Sequence, residues 1–425
     1  MRLILHNPQK EVFFGHTLLS VITRSHSFRK YRYLLSWLTK HNKPYAIYVD
    51  KHGSSIPSGE RIPKRLEIWI WALLNGLNPL SLQIISNPEK IAKDDIFMSF
   101  TYFNLDGQNT EMHKLAKSPF IKLFHATHFI MKTKAIAKNF RQFGADFFLG
   151  ENNLAKNSAY FKHHFPFYKK DVYVLPFVFE ERFKDTAPFG KRKNKCFATG
   201  TVVRFKEMAR YEETFKDFIA YYDTDTIHPM RSFIFENKEQ LKDVIDCYIG
   251  LLWEVKRKNL KGNENVFKWL YAKLYNAFVV ARRSYYKFDM VEKLNEYRMF
   301  VVPEEINDMP GIGFVEGMAC GCAYIGKNDP MYTDLGLVPG KQYIAYDGTV
   351  EGLKRQITYY QKHPKELEQI AAAGKEFIRS TLNGDAVAAR FWKDLEALSE
   401  QLKRHKYDKS RLSFQSSLVQ RRGTE

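Results

Sequence analysis

Between Pro303 and Gly326 the chain reads PEEINDMPGIGFVEGMACGCAYIG. The pattern is a strand end, a Pro/Gly loop, a short helix and another strand. Gly311 and Gly313 at the helix start permit close backbone approach. Free N–H groups and the positive dipole end there favour a phosphate. Glu316 lies one turn into the helix, and Gly321 suits its C-terminal stop. A carboxylate so placed can accept two hydrogen bonds from vicinal ribose hydroxyls, as the acidic residue of dinucleotide folds does. The competing reading is an amphipathic helix with an exposed Glu, which a lone glycine pair would not displace.

The whole arrangement resembles the second-domain signature of the large retaining glycosyltransferase family called family four, or glycosyl transferases group 1, which has the GT-B fold. That signature sets an acidic residue eight places before a Glu, as Asp308 stands before Glu316, and then a small-residue helix end, here Gly317-Met318-Ala319-Cys320-Gly321. The resemblance implies that Glu316 binds the nucleotide ribose, that Gly311 and Gly313 approach the donor, and that the first acid contacts donor-sugar hydroxyls. The family has Glu where this chain has Asp308, one methylene shorter, which leaves Glu304 and Glu305 open for that contact. The segment KCFATGTVVRFK, Lys195–Lys206, resembles the first strand and loop of the same domain. There Gly200 would meet the donor, and Arg204 and Lys206 would serve the departing diphosphate, whose developing charge needs fixed cations. IKLFHATH, Ile121–His128, resembles the first-domain strand that ends in a cleft-facing histidine, with His125 the better match and His128 the second. Arg24-Ser25-His26-Ser27 occupies the place of a Gly-rich loop but lacks glycines, and Gly15-His16 is the alternative. The implied reaction moves a sugar from a nucleoside-diphosphate sugar to a glycan or lipid-linked acceptor, with retention and without a metal.

Elements must hold these residues. Apolar runs suited to buried parallel strands are Leu3–Leu5, Tyr45–Val49, Ile96–Phe100, Ile121–Phe124, Asp146–Leu149 and Val172–Leu175, with a helix at Tyr31–His41 between two of them. Strand–helix alternation predicts a doubly wound parallel sheet. Asp185–Asn194, DTAPFGKRKN, reads as a linker. A second series then gives strands at Cys196–Val203, Met299–Val302, Ala323–Ile325 and Gln342–Tyr346, and helices at Gly311–Cys320, Val350–Lys362 and Pro364–Leu382. The expected architecture is therefore α/β, with two Rossmann-like domains facing a cleft. Residues 1–185 form the acceptor domain and 195–384 the donor domain, followed by a C-terminal helix at 385–403 and a mobile basic tail at 404–425. The stretch Tyr222–Glu296 reads as a helical elaboration, chiefly Lys238–Lys256 and Val266–Arg283.

Composition bounds the alternatives. With 425 residues the chain suits two domains, and 44% hydrophobic content can fill two cores. The net charge of +19 attracts anions: nucleotides, phospholipid headgroups, acidic glycans or nucleic acid. Four cysteines provide no disulfide framework or zinc set, which fits a reducing cytosol. Neither a signal-peptide core nor a membrane-spanning run is evident, so a cytoplasmic protein is expected, with peripheral attachment at the inner membrane face left open. Lys64–Leu74, KRLEIWIWALL, reads first as a core helix, and second as a membrane-surface helix with Ile68 and Trp71 on one face near Lys51, Arg61 and Arg65. Asp223-Thr224-Asp225 has a metal-diphosphate form but follows a helix, and His163-His164 reads as a surface loop. A GT-B epimerase or phosphorylase lacks its catalytic set here. A non-catalytic basic nucleic-acid or membrane-binding protein would explain the charge but not the Asp308–Glu316 spacing.

Overall fold

A computed structural model describes residues 1–6, 32–49, 65–74, 76–100, 115–126, 129–207, 209–251 and 288–418, with isolated helical positions at Phe267, Lys268, Tyr271 and Leu274. Gly15, His16, Arg24–Ser27, Lys51, Arg61, Lys64 and His128 lie outside them. The first sheet holds β1 (Leu3–His6), β2 (Tyr45–Tyr48), β3 (Gln83–Ile85), β4 (Ile96–Phe100), β5 (Ile121–His125), β6 (Phe147–Gly150) and β7 (Tyr173–Val174), in the order β3-β2-β1-β4-β5-β6-β7. Every pairing is parallel. A parallel sheet covered on both faces needs continuous apolar strands, and Leu3, Ile4 and Leu5 are wholly buried accordingly. The helix Arg32–Lys40 buries Leu34, Leu35 and Leu38 against this sheet. Fully burying each Leu contributes about 2 kcal/mol. The short β3 was absent from the sequence reading.

The second sheet holds β8 (Lys193–Val202), β9 (Ile245–Leu251), β10 (Tyr297–Val301), β11 (Ala323–Lys327) and β12 (Ile344–Tyr346), in the order β12-β11-β10-β8-β9, again parallel. Two doubly wound α/β sheets thus face a cleft. One expectation fails here. The expected helix Lys238–Lys256 is not one over its described part, 238–251, which holds β9, paired along its length with β8 from Cys196↔Ile245 to Val202↔Leu251. The helices with described bounds in the 222–296 stretch are Pro229–Glu236 and Met290–Glu296, and most of Val266–Arg283 lies outside the described residues.

The tail also departs from expectation. The helix Gly384–Arg404 crosses back onto the first half, with Lys40 and Lys43 pairing Asp385 and Glu396. Residues 405–418 do not hang free. Leu412 and Phe414 are buried, Phe414 stacks on Tyr173 at 4.2 Å, and Lys409 reaches Asp146 at 3.0 Å. Apolar residues two apart in a basic stretch were enough to dock it. The intervening segment Asp185–Arg192 is likewise pinned: buried Arg192 binds Asp185 at 2.6 Å, the Asn295 side chain at 3.1 Å and the Cys320 carbonyl at 2.9 Å. His163 and His164 end the helix Ala159–His164 rather than forming a loop, and burial lowers the His164 pKa to about 4.

Candidate functional site

Connections in the second sheet run from β8 out to β9 on one side and from β10 to β11 and β12 on the other. The order therefore reverses between β8 and β10, and the crevice beyond the carboxyl ends of such strands is where open α/β sheets bind ligands. Val202 ends β8 just before Arg204 and Lys206, and Val301 ends β10 just before Glu304, Glu305 and Asp308. The two motifs that sequence singled out follow the two strands of this switch point.

The helix Gly313–Ala319 is short and almost wholly committed to packing. Phe314, Val315, Gly317, Met318 and Ala319 are buried, and Glu316 is half-buried. A Cβ at Gly311 or Gly313 would stand 2.6 or 2.7 Å from the methyls of Val302, and one at Gly317 would stand 2.3 Å from the Phe300 ring. The close approach that these glycines permit is to the end of β10. Gly321, with φ +72°, stops the helix as expected: the Cys322 N–H donates to the Gly317 carbonyl at 3.1 Å and the Gly321 N–H to Met318 at 2.9 Å.

Glu304 and Glu305 part company at once. The Glu304 carboxylate points into the domain, where it accepts the Lys327 N–H at 2.9 Å and the Tyr332 hydroxyl at 2.9 Å, with Tyr324 and Tyr346 beside it. It is 3% exposed, and burial raises its pKa against those hydrogen bonds. Glu304 ties β10 to β11 and is no longer a candidate for the donor contact. Glu305 remains half-buried and pairs its backbone with Met309.

A cavity of about 690 Å³ opens between the two halves. Glu316 and Ile312 line it from the second half and His125 and Glu151 from the first, with the segment Leu175–Arg182 between them. His125 is 1% exposed at the end of β5. Two residues predicted from separate motifs therefore share one cavity. Glu151, 2% exposed, was missed, although a carboxylate one place beyond a strand's end, here after Gly150, is a readable signal. Arg32, Tyr33, Arg379, Asn383 and Asp385 were missed as well. They come from helices far apart in sequence. Arg379 donates to the Ala319 carbonyl at 2.9 Å and the Phe183 carbonyl at 2.7 Å, and Asn383 caps the helix Gly384–Arg404 through the Ala386 N–H at 2.8 Å.

Asp308 is not among the cavity's lining residues. It occupies a turn closed by the Glu305 N–H to Met309 carbonyl bond at 2.9 Å, with φ +66°, and it faces the first half. Burial and then the Asp329 charge push its pKa up to about 6, against the lowering effects of Ser158, Lys327 and Lys162. Arg204 is paired with Glu236 and, at 3.5 Å, with Glu207, whereas Lys206 is exposed. Neither lines the cavity. Gly200 has φ +146°, and a Cβ there would stand 2.6 Å from the Arg231 guanidinium, which donates to the Thr201 carbonyl at 3.0 Å. Arg231 is thus a further cation at the end of β8, hidden in the stretch read as a helical elaboration. Asp223 terminates the helix Lys216–Tyr222 in a left-handed conformation. Among the described residues no group of three or more His, Cys, Asp or Glu could hold a metal ion.

A family model described as "Glycosyl transferase-like" matches residues 232–393. No curated protein sequence matches the chain. Among solved structures, Anabaena HepE in complex with UDP and glucose is similar with a TM-score of 0.50 at 9% identity, over 94% of this chain and 100% of that one. A sucrose-phosphate synthase from Thermosynechococcus elongatus follows at 0.47 and 12%, covering 96% and 99%, and a glycosyltransferase from Rickettsia africae at 0.47 and 11%, covering 93% and 98%. At these identities the likeness is one of fold.

Proposed function

We propose that this nucleotide-sugar-dependent glycosyltransferase of GT-B fold binds its donor across the β8/β10 switch point and transfers the sugar, with retention as in family four, to a glycan or lipid-linked acceptor of surface polysaccharide synthesis. The observation that carries the reading is the shared cavity: Glu316 of the donor half and His125 of the other half line one space of about 690 Å³. That volume falls in the range of small-molecule sites. In this reading Glu316 accepts the ribose hydroxyls, and Asp308, with Glu305 beside it, contacts donor-sugar hydroxyls. His125 donates to a donor hydroxyl, and Arg204, Lys206 and Gly200 attend the diphosphate. The leaving phosphate oxygen takes the acceptor proton, so the protein's part is positioning and charge stabilisation. Residues 1–185 act as the acceptor domain and 195–384 as the donor domain. Because HepE, which shares the fold, is seen in complex with UDP and glucose, uridine nucleotides are the first probes. A thermal-shift panel of nucleoside diphosphates tests the reading, because a ligand of the native state raises the midpoint. A panel in which none does so sinks it.

A membrane-side acceptor has one supporting observation. In the helix Arg65–Leu74, Ile68 is 1% exposed and packs in the core, as a core helix requires. The outward residues are Trp69 and Leu73, 41% and 64% exposed, one helical turn apart. No helix among the described residues is long and apolar enough to cross a membrane. A basic chain with this apolar face is expected to sediment with anionic vesicles at low salt. The double variant Trp69→Ser, Leu73→Ser should weaken that sedimentation, and equal sedimentation of parent and variant would remove the face from the account.

A further inference from the structure

Asp308 belongs to the second half of the chain, yet its turn is finished by the first. Beyond the end of β6 runs the segment Glu151-Asn152-Asn153-Leu154-Ala155-Lys156-Asn157-Ser158. Asn153 fastens it to its own domain, accepting the Val172 N–H at 3.1 Å and donating to Asp171 at 3.1 Å. Asn152, Asn157 and Ser158 reach across. The Asn152 amide donates to the Asp308 carbonyl at 2.8 Å, and the Ser158 hydroxyl donates to the Asn307 carbonyl at 3.2 Å. Asn157 braces the first of these bonds, donating to Asn152 Oδ1 at 2.8 Å and to Asp334 of the second half at 3.2 Å. Asn152 and Ser158 are 1% and 0% exposed, so these are dry contacts in which an unmet partner is costly.

The turn itself needs such support. Asp308 has φ +66°, a left-handed conformation that non-glycine residues seldom adopt unaided. Its two neighbours are held: Asn307 is 1% exposed, and Met309 is buried in the same apolar cluster as Phe124, Phe129 and Phe161 of the first half. The carboxylate between them has Ser158, Lys162, Tyr222, Lys327 and Asp329 around it.

We propose that Asn152 and Ser158 are positioning residues: from the acceptor side they set the backbone of the Asp308 turn, so that the donor-sugar contact is made by both halves of the enzyme together. The proposal rests on the reading of Asp308 as a donor-sugar contact. It also accounts for the replacement of the family's Glu by a shorter Asp, since a turn gripped at both neighbouring carbonyls aims a short side chain more narrowly than a free loop would.

The test uses the full chain and its nucleotide-sugar donor. Asn152→Asp keeps shape but replaces the donating amide by an oxygen facing the Asp308 carbonyl. Ser158→Ala removes the hydroxyl, and Ser158→Thr restores it. The expected result is a fall in kcat of about tenfold to a hundredfold for Asn152→Asp and Ser158→Ala, as for misplaced reacting groups, with nucleoside diphosphate binding unchanged and activity recovered in Ser158→Thr. Because Ser158 also caps the helix Ala159–His164 through the Phe161 N–H, a loss of activity that tracks thermal stability and persists in Ser158→Thr overturns the proposal. Parent-like kcat in Asn152→Asp and Ser158→Ala, alongside an impaired Asp308→Asn, overturns it too. A parent-like Asp308→Asn instead condemns the donor reading of Asp308, and the proposal falls with it.

Discussion

Glu316 and Asp308 stand on one continuous segment, yet they finish in different surroundings. Glu316 rides a helix whose glycines lie against Val302 and Phe300 of its own half, and it lines the cavity between the halves. Asp308 sits in a turn whose carbonyls are held from the other half, outside that cavity, with its pKa raised to about 6 by burial and Asp329. A ligand group on the first pattern is pre-set by one domain and can work on binding alone. A ligand group on the second is correct only while two domains are joined, so its failure should show in turnover before it shows in binding.

The largest effect expected from this contrast is at Glu316. In the role proposed for Glu316, two charge-assisted hydrogen bonds to ribose hydroxyls would contribute about 3 kcal/mol together, so Glu316→Ala should raise the nucleoside diphosphate Kd about a hundredfold. Thermal unfolding without ligand should stay near the parent, because the side chain is half-buried and leaves no core cavity. Titration by calorimetry decides it, and parent-like affinity would transfer the ribose role elsewhere in the cavity, with Glu151 the first place to look. Asp308→Asn should act more weakly and differently, lowering kcat about tenfold while leaving nucleoside diphosphate affinity alone. If both substitutions weaken nucleotide binding equally, the division between the two carboxylates is false.

How much of this was legible follows from how local each feature is. Six of the first sheet's strands announce themselves as mainly apolar runs, even with Ser99 and Lys122 inside two of them, because both faces of a parallel strand are covered. β9 does not. Its Asp246 breaks the run, and only the fold shows why it is tolerated, through the Tyr297 hydroxyl at 2.7 Å and Lys195 at 3.0 Å. Lys-rich flanks did the rest, making a strand look helical. Glu316 was readable because strand, glycines, helix and stop lie within one short span. Glu304 and Glu305 could not be separated by sequence, since adjacent residues at a strand's end point to opposite sides and only the tyrosines at 324, 332 and 346 reveal which one is inside. Asn152, Ser158, Arg231 and Arg379 act through partners far along the chain, and no local pattern carries that information.

The smallest effect is the most direct check on Asp308's surroundings, and it concerns stability rather than rate. A carboxylate whose folded-state pKa stands near 6 against an ordinary value of 3.8 binds its proton more tightly in the native state. The linked stability is fully present below about pH 4 and is lost as pH rises through about 6, so above that the ionised group is a cost to folding. Asp308→Asn removes the titration and suits the backbone, since Asn tolerates the left-handed region well. The variant should therefore match the parent near pH 4 and exceed it near pH 7.5 by on the order of 1 kcal/mol, a figure already discounted for solvent screening of a half-exposed group. Urea unfolding at steps from pH 4 to 8 measures the difference. A difference that stays flat with pH would mean that Ser158, Lys162 and Lys327 offset the burial of the carboxylate fully, and the contrast with Glu316 would then rest on the backbone bonds of the turn alone.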